Sequence, residues 1–274
     1  MARSLKDLRQ VRAKHPPRLV LYGVHGIGKT TLAAEAPAPV FLQIEEGTPG
    51  DLELTSFGEL KTFDDVLESF YALYQEEHPF KTVVIDTLDA LEPLVWRKVC
   101  EENGWRSIED AGYGKGYVAA EDVWQRFLDG VNALRVDKGM NTIQLAHSQI
   151  ERFDSPISEP YHRYALKLHK RAAALIQEDA DIVCFANYLI SLKQTDVGFN
   201  KKRAHGESGG QRMLYFEERP GFAAKNRYGM PPAAIYKKGS GWTEIAKYCP
   251  AAAVAPRAKK AAAAKVESAQ AAAE

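Results

Sequence analysis

The segment GVHGIGKT at Gly23–Thr30 has the spacing of a phosphate-binding loop, and an apolar strand-like run precedes it. Glycines let the backbone wrap closely around phosphate oxygens, so that successive N–H groups and the start of the following helix point at the anion. In this pattern Lys29 reaches the β- and γ-phosphates, and the Thr30 hydroxyl ligates Mg²⁺. The residues predicted to contact ATP are Gly23, Val24, His25, Gly26, Ile27, Gly28, Lys29, Thr30 and Thr31.

A second part of the same site is predicted at Asp86, which ends the apolar run TVVID. A carboxylate at the end of a buried strand is the Walker B pattern, and it would hold Mg²⁺ through water. Many buried strands end in aspartate, so this pattern gains its meaning from the phosphate-binding loop that comes before it. Thr30 and Asp86 are therefore the predicted metal-binding residues.

The residue that would activate water does not follow Asp86, because the next residue is Thr87. Glu45 and Glu46 are the candidates, since they end a second strand-like run, and ligands lie at the carboxyl ends of strands in parallel sheets. A carboxylate there could act as a general base. The alternative interpretation is a solvated strand end without a catalytic role.

Two further groups could complete such a site. A fourth strand-like run ends in the polar residues His147, Ser148 and Gln149, of which a neutral histidine could donate a hydrogen bond to phosphate. Lys225 and Arg227 are two residues apart, so on an extended strand they face the same side. A satisfied histidine at the core edge and an exposed basic strand edge are the alternatives.

These residues need a scaffold that brings strand ends together, and the chain predicts one by alternating strand-like and helical patterns. This alternation predicts an α/β fold whose mainly parallel sheet is flanked by helices, with antiparallel hairpin strands at the C-terminal end. The predicted strands are 18–22, 39–44, 82–86, 141–147 and 181–186, with hairpin-like segments at 188–193, 212–217 and 222–225. The predicted helices are 29–35, 63–74, 88–100 and 118–136.

Composition limits the remaining possibilities. The 274 residues carry 36 Lys and Arg against 36 Asp and Glu, so global charge neither supports nor excludes nucleic acid. Cys100, Cys184 and Cys249 lack the spacing of a zinc site or a disulfide framework. No apolar run approaches the roughly 18 residues of a membrane span, so a cytoplasmic protein without a membrane partner is expected.

We expect a basic arm at 1–17, an ATPase domain at 18–250 and a disordered Ala/Lys-rich tail at 251–274.

The run from Gly23 to Gly47, followed by VVIDTLDAL and TIQLAHSQ, resembles the core of RecA-type P-loop ATPases. The resemblance implies that Glu45, with Glu46 as the second choice, is the catalytic base. It also implies a sensor of the γ-phosphate at His147, Ser148 or Gln149. Lys225 and Arg227 match a basic pair that reaches into the ATP site of a neighbouring subunit, which implies a homo-oligomer with ATP at its interfaces.

Two segments correspond in chain order to the DNA-binding loops of that family. The first is 110–117, which contains Tyr113, Lys115 and Tyr117, and the second is 151–171. The second carries six basic or titratable side chains: His162, Arg163, Lys167, His169, Lys170 and Arg171. Mixed basic and aromatic residues suit phosphate contact and base stacking. A flexible surface loop and a solvated basic helix face remain as alternatives.

Within that family, the chain resembles the phage-type RecA-like ATPases, often called AAA family nucleotide-binding proteins, some of which anneal single-stranded DNA. The resemblance implies a DNA-stimulated ATPase that binds single-stranded DNA in recombination, alongside an ssDNA-binding protein. Two other functions stay open: a P-loop kinase of a nucleotide or small molecule, and a nucleotide-switched loader or assembly ATPase.

Overall fold

The computed structural model describes residues 15–47, 49–50, 52–196 and 202–250. The tail predicted at 251–274 lies outside this part of the chain, as does the arm predicted at 1–17 except for its last three residues. No helix within the described ranges is long and apolar enough to cross a membrane.

Strands and helices alternate along the first two thirds of the chain, as the sequence predicts. The strands are β1 (Arg18–Gly23), β2 (Pro39–Gln43), β3 (Ser56–Glu59), β4 (Thr82–Asp86), β5 (Asn141–Phe153), β6 (Tyr161–Leu166), β7 (Ile182–Asp196), β8 (Lys202–Tyr215), β9 (Lys225–Asn226) and β10 (Ala233–Tyr236). The helices are α1 (Lys29–Ala34), α2 (Phe63–Gln75), α3 (Leu88–Asn103), α4 (Lys115–Asp137), α5 (Lys170–Asp179) and α6 (Gly241–Ala246).

The strands form one sheet in the order β10-β8-β7-β1-β5-β4-β2-β3, with β6 paired to β5 and β9 paired to β7. All pairs from β3 to β7 along this path are parallel, whereas β8 and β10 add antiparallel strands at one end. The predicted fold class, a mainly parallel sheet with antiparallel strands in the C-terminal part, is therefore confirmed.

Helices cover both faces of the sheet. Helices α2, α3, α4 and α5 pack on one face, where Trp124 and Phe127 of α4 are almost fully buried. The shorter α1 and α6 cover the other face, with Leu32 and Ile245 in the core. The near-continuous apolar runs of the central strands follow from this arrangement, because a parallel sheet between two helical layers is buried on both faces.

The parallel register aligns the predicted functional residues at the carboxyl ends of the strands. Gly23 of β1 lies opposite His147 of β5, and Gln43 of β2 lies opposite Asp86 of β4. Because neighbouring parallel strands end together, their following residues open onto the same crevice.

Helix α3 begins two residues after Asp86, with Thr87 as its N-cap. The Thr87 side chain accepts the Ala90 N–H at 3.4 Å and so caps the first turn of this helix. Asp89, in that turn, is thereby held beside the strand ends.

The sequence prediction of a loop over 151–171 is wrong. Strand β5 continues beyond His147 to Phe153 and pairs with β6, so residues 151–166 of the segment belong to a β-hairpin. Its last two residues belong to α5. The sequence did not reveal these strands because the hairpin projects from the main sheet. Strands that pack on no core need no alternating apolar residues. Strand β3 was also missed, since it lies at an edge and is largely exposed.

Candidate active site

The predicted phosphate loop leaves the sheet at Gly23 and enters α1 at Lys29. A Cβ atom on Gly23 would collide with the carbonyl oxygen of Ala186 on β7, so only glycine fits this strand end. Gly28 has a φ of +93°, a left-handed conformation that other residues disfavour. Two glycines therefore have a defined steric purpose in this loop.

Lys29 is only 7% exposed, and its ammonium group donates to the carbonyls of Gly23 at 3.3 Å and Val24 at 3.4 Å. Within the described residues, no carboxylate lies within ion-pair distance of it. Burial lowers the pKa of Lys29, although nearby carboxylates oppose this effect. The partners of this buried ammonium group are neutral carbonyls, and burying an uncompensated charge costs free energy. The group is therefore suited to an anionic ligand.

Thr30 and Asp86 meet as the sequence predicts. The Thr30 hydroxyl donates to Asp86 Oδ2 at 3.0 Å. Burial raises the pKa of Asp86 to about 6, although the hydrogen bond from Thr30 acts to lower it. Hydroxyl, carboxylate and water oxygens are ligands that Mg²⁺ prefers, so this pair fits the predicted metal.

Glu45 is brought to the same place. Glu45, Asp89 and His147 each offer one ligating atom, and these three atoms lie within 4.8 Å of one another. Glu45 also lines a cavity of about 430 Å³ together with the phosphate loop, Asp86 and Thr87. Glu46 is exposed and lines a neighbouring hollow beside Glu59 instead.

His147 is tied to Asp89 by two bonds. Asp89 accepts the backbone N–H of His147 at 2.8 Å, and its second oxygen lies 2.8 Å from the ring Nδ1. Although burial raises it, the hydrogen bonds from His147 lower the pKa of Asp89 to about 2. The ring of His147 stacks on His25 of the phosphate loop at 4.1 Å. An ionised Asp89 holds the proton on Nδ1 and leaves Nε2 for another partner.

Asp89 is a functional candidate that the sequence did not single out. Its signal was its position three residues after Asp86, in the first turn of a helix. Because it lies on that helix rather than at a strand end, its meeting with His147 depends on how α3 docks on β5.

A second group missed by the sequence braces the phosphate loop from the other side. Tyr188, Arg212 and Tyr236 are direct neighbours across β7, β8 and β10. The Tyr188 hydroxyl donates to Gly26 O at 3.4 Å, and the Tyr236 hydroxyl donates to Ile27 O at 3.2 Å. These three residues are called the loop brace below.

Lys225 and Arg227 lie near the amino ends of the parallel strands, whereas the phosphate loop lies at their carboxyl ends. Lys225 pairs with Val183 near the start of β7, whereas the phosphate loop lies level with the later residue Ala186. Lys225 Nζ donates to the carbonyls of Gln177 at 2.8 Å and Glu178 at 3.1 Å, at the end of α5. Both side chains do share one side, since Arg227 Nη2 also donates to the Glu178 carbonyl, at 3.4 Å, and Arg227 Nη1 lies 3.3 Å from Asp181. Their role toward a neighbouring ATP stays a prediction.

The first candidate DNA segment, 110–117, is a turn that runs into α4 at Lys115. Tyr113 is fully exposed at its tip, between two glycines. Tyr117, however, stacks on His169 at 4.1 Å and is hydrogen-bonded to Glu109, so its ring is engaged within the protein.

In the second segment, 151–171, several basic residues are paired with carboxylates. Arg163 contacts Glu151 and Glu218, each at 3.2 Å, and Arg171 contacts Glu121 at 2.7 Å. Ile157 at the hairpin tip is 94% exposed. The hairpin thus carries Arg152 and Arg163 against Glu151, Asp154 and Glu159, with no excess of positive charge.

Three comparisons with known proteins bear on the chain. The family model described as the AAA domain matches residues 15–228. The SPbeta prophage-derived uncharacterized protein YorG of Bacillus subtilis (strain 168) is 23% identical over 174 residues, which are 61% of this chain and 49% of that protein. The chain therefore spans about half the length of this curated relative.

Among solved structures, the crystal structure of the RadB recombinase aligns over 82% of this chain and 88% of that chain, with a TM-score of 0.46 and 14% identity. The family match covers well over half of the residues and includes the phosphate loop, Glu45, Asp86 and His147. This chain belongs to the AAA domain family.

Proposed function

We propose that the protein binds ATP with Mg²⁺ and hydrolyses it. The observation that carries this proposal is the convergence of Lys29, the Thr30–Asp86 pair and Glu45 on one cavity. Its volume of about 430 Å³ lies within the range of ligand pockets. Lys29 and Thr30 would hold the phosphates and the metal, while Mg²⁺ would neutralise developing charge.

Glu45 is proposed as the general base that accepts the proton of the attacking water. It lies beside the His147–Asp89 pair. Because Asp89 engages Nδ1 of the histidine, Nε2 is available to the terminal phosphate or the water. The carboxylate therefore has a neighbour that can report whether the γ-phosphate is present. Removal of a general base typically lowers turnover by about 10²- to 10⁴-fold.

Assembly of several copies is the second part of the proposal. Lys225 and Arg227 lie at the sheet edge remote from the phosphate loop of their own protomer, which favours action on a neighbour's ATP. If this is so, the specific ATPase rate falls when the protein is diluted to monomer. A specific rate that stays high and constant on dilution would contradict this part.

Single-stranded DNA is proposed as the macromolecular target. The β5–β6 hairpin continues directly from His147, so a change at the phosphate sensor reaches a projecting arm without an intervening loop. The arm presents Phe153 and Tyr161, whose rings lie 5.3 Å apart, and base stacking on aromatic rings is tolerant of sequence.

Labelled ATP separated by thin-layer chromatography tests the reaction. We expect phosphate released without an acceptor, and no release by Lys29→Ala. Label transferred to an acceptor would favour the kinase alternative.

Fluorescence anisotropy with single-stranded DNA and ATP, across a salt series, tests the target. Binding that weakens with salt is expected. Absence of binding at all salt concentrations would favour the loader alternative.

A further inference from the structure

We propose that Arg212 binds the α- and β-phosphates of the nucleotide held by the phosphate loop of its own protomer. The inference rests on the proposed nucleotide site and adds a residue that the loop pattern does not contain. It assigns to β8 a binding role in addition to its place in the sheet.

The position of Arg212 follows from the loop brace. Arg212 is the Cα partner of Tyr236 on one side and of Tyr188 on the other, so the three side chains share one face of the sheet. The two tyrosines already bond to consecutive loop carbonyls, at Ile27 and Gly26. The middle member of the row is therefore directed to the same loop.

The guanidinium group reaches that loop. A Cβ atom built on Gly28 would lie 3.3 Å from Arg212 Nη1. Gly28 directly precedes Lys29, and Arg212 lines the cavity together with Gly28, Lys29, Thr30 and Thr31. The positive group is thus at the rim of the phosphate site without any movement of the backbone.

Arg212 is also free to take an anion. Within the described residues, its guanidinium group forms no hydrogen bond or ion pair, in contrast to that of Arg18, which is bound by Asp179 and Asp181. A half-buried guanidinium group with five donors and no carboxylate partner suits a phosphate, which it can bind through two parallel bonds.

The side of approach decides which phosphates it meets. Asp86 and His147 come from β4 and β5, on one side of β1, whereas β8 lies on the other side, beyond β7. Glu45 follows β2, on the same side as Asp86. The γ-phosphate must face Glu45 and Asp86, so Arg212 meets the phosphates nearer the ribose. It therefore contributes to binding of ATP and ADP alike.

Isothermal titration calorimetry with ADP and with a non-hydrolysable ATP analogue tests this assignment in the full chain. We expect Arg212→Ala to weaken both ligands by a similar factor of about 10- to 100-fold, since charge-assisted hydrogen bonds are lost. Arg212→Lys should recover part of the affinity, because a lysine keeps the charge but not the planar fork. The KM for ATP should rise in Arg212→Ala, because a contact made equally in the ground and transition states contributes to binding of the substrate.

Arg126→Ala is the matched control, since it removes an arginine from α4 that is paired with Glu102 outside the cavity. Thermal unfolding without nucleotide should be similar in Arg212→Ala and Arg126→Ala, and of these two only Arg212→Ala should show a smaller ADP-dependent rise in Tm. Unchanged affinity for ADP in Arg212→Ala would overturn the inference. A loss of turnover with unchanged affinity would overturn it too, because that result indicates a contact to the γ-phosphate.

Lys29→Ala separates the inference from the proposed function. If Lys29→Ala abolishes binding while Arg212→Ala retains it, only the inference fails. If Lys29→Ala binds both nucleotides like wild type, the proposed function itself fails.

Discussion

Asp89 holds His147 by both of its oxygens, one on the backbone N–H and one on the ring Nδ1, each at 2.8 Å. This pair joins the first turn of α3, which follows Asp86, to the point where β5 leaves the sheet as a hairpin arm. The proposed metal ligand and the proposed DNA arm are thus linked through one carboxylate.

The first prediction concerns this pair. Asp89→Ala should retain ADP binding but lower the ATPase rate by about 10- to 100-fold, because the His147 ring, the proposed sensor, loses its orientation. Titration calorimetry and a phosphate-release assay measure the two effects. Asp129→Ala, which removes an exposed carboxylate from α4, is the control. A wild-type rate in Asp89→Ala would show that the pair has no part in hydrolysis.

The second prediction separates the two neighbouring glutamates. Glu45→Gln should bind ATP normally and lower turnover by about 10²- to 10⁴-fold, because the amide cannot accept a proton. Glu46→Gln should behave like wild type, since its side chain is exposed outside the cavity. Single-turnover measurements distinguish binding from chemistry. The opposite result for the two variants would move the catalytic base to Glu46.

The third prediction concerns Lys225 and Arg227, the pair proposed to act on a neighbour's ATP. Lys225→Ala should lower the free energy of unfolding by about 1 kcal/mol, because Lys225 binds two carbonyls at the end of α5. Arg227 has a half-exposed side chain. Arg227→Ala should therefore unfold at nearly the wild-type denaturant concentration and lose about 10³- to 10⁵-fold in turnover. If Arg227→Ala hydrolyses ATP at the wild-type rate, the basic pair serves only the fold.

The fourth prediction is a pH dependence of stability from Glu92. Both of its oxygens accept the His169 N–H, at 2.9 and 3.0 Å, and burial raises its pKa from 4.5 to about 7. The folded state therefore holds this proton more tightly than the unfolded state. The stabilisation is complete below about pH 4.5 and is lost as the pH rises through 7.

Urea unfolding of wild type and Glu92→Gln measures this effect. Between pH 5 and 8, the wild type should lose on the order of 2–3 kcal/mol more unfolding free energy than the variant. The comparison uses the change with pH, so a constant offset from the altered side chain does not affect it. Parallel curves for the two proteins would contradict the prediction.

The central sheet and the phosphate site could be predicted from the sequence because their signals are local. Arg18–Gly23, Pro39–Gln43 and Thr82–Asp86 are short apolar runs, and each ends at a residue of the site or, for the second, two residues before Glu45. A loop pattern such as Gly23–Thr30 is specified by the backbone path around a phosphate, so it reads the same in any fold that contains it.

The loop brace could not be predicted, because it depends on register. Tyr188, Arg212 and Tyr236 become neighbours only when β7, β8 and β10 pair antiparallel in one alignment, and a one-residue slip would turn Arg212 to the other face. The docking of Asp89 on His147 depends in the same way on the angle between α3 and β5. Such contacts follow from tertiary packing rather than from spacing along the chain.

The central claim is that Gly23–Thr30, Asp86 and Glu45 form an ATPase site whose activity responds to single-stranded DNA. The direct measurement is phosphate release by the wild-type protein with and without single-stranded DNA, with Lys29→Ala as the blank. We expect hydrolysis above the blank that rises when DNA is added and disappears in Glu45→Gln. A wild-type rate equal to that of Lys29→Ala, with and without DNA, would contradict the account.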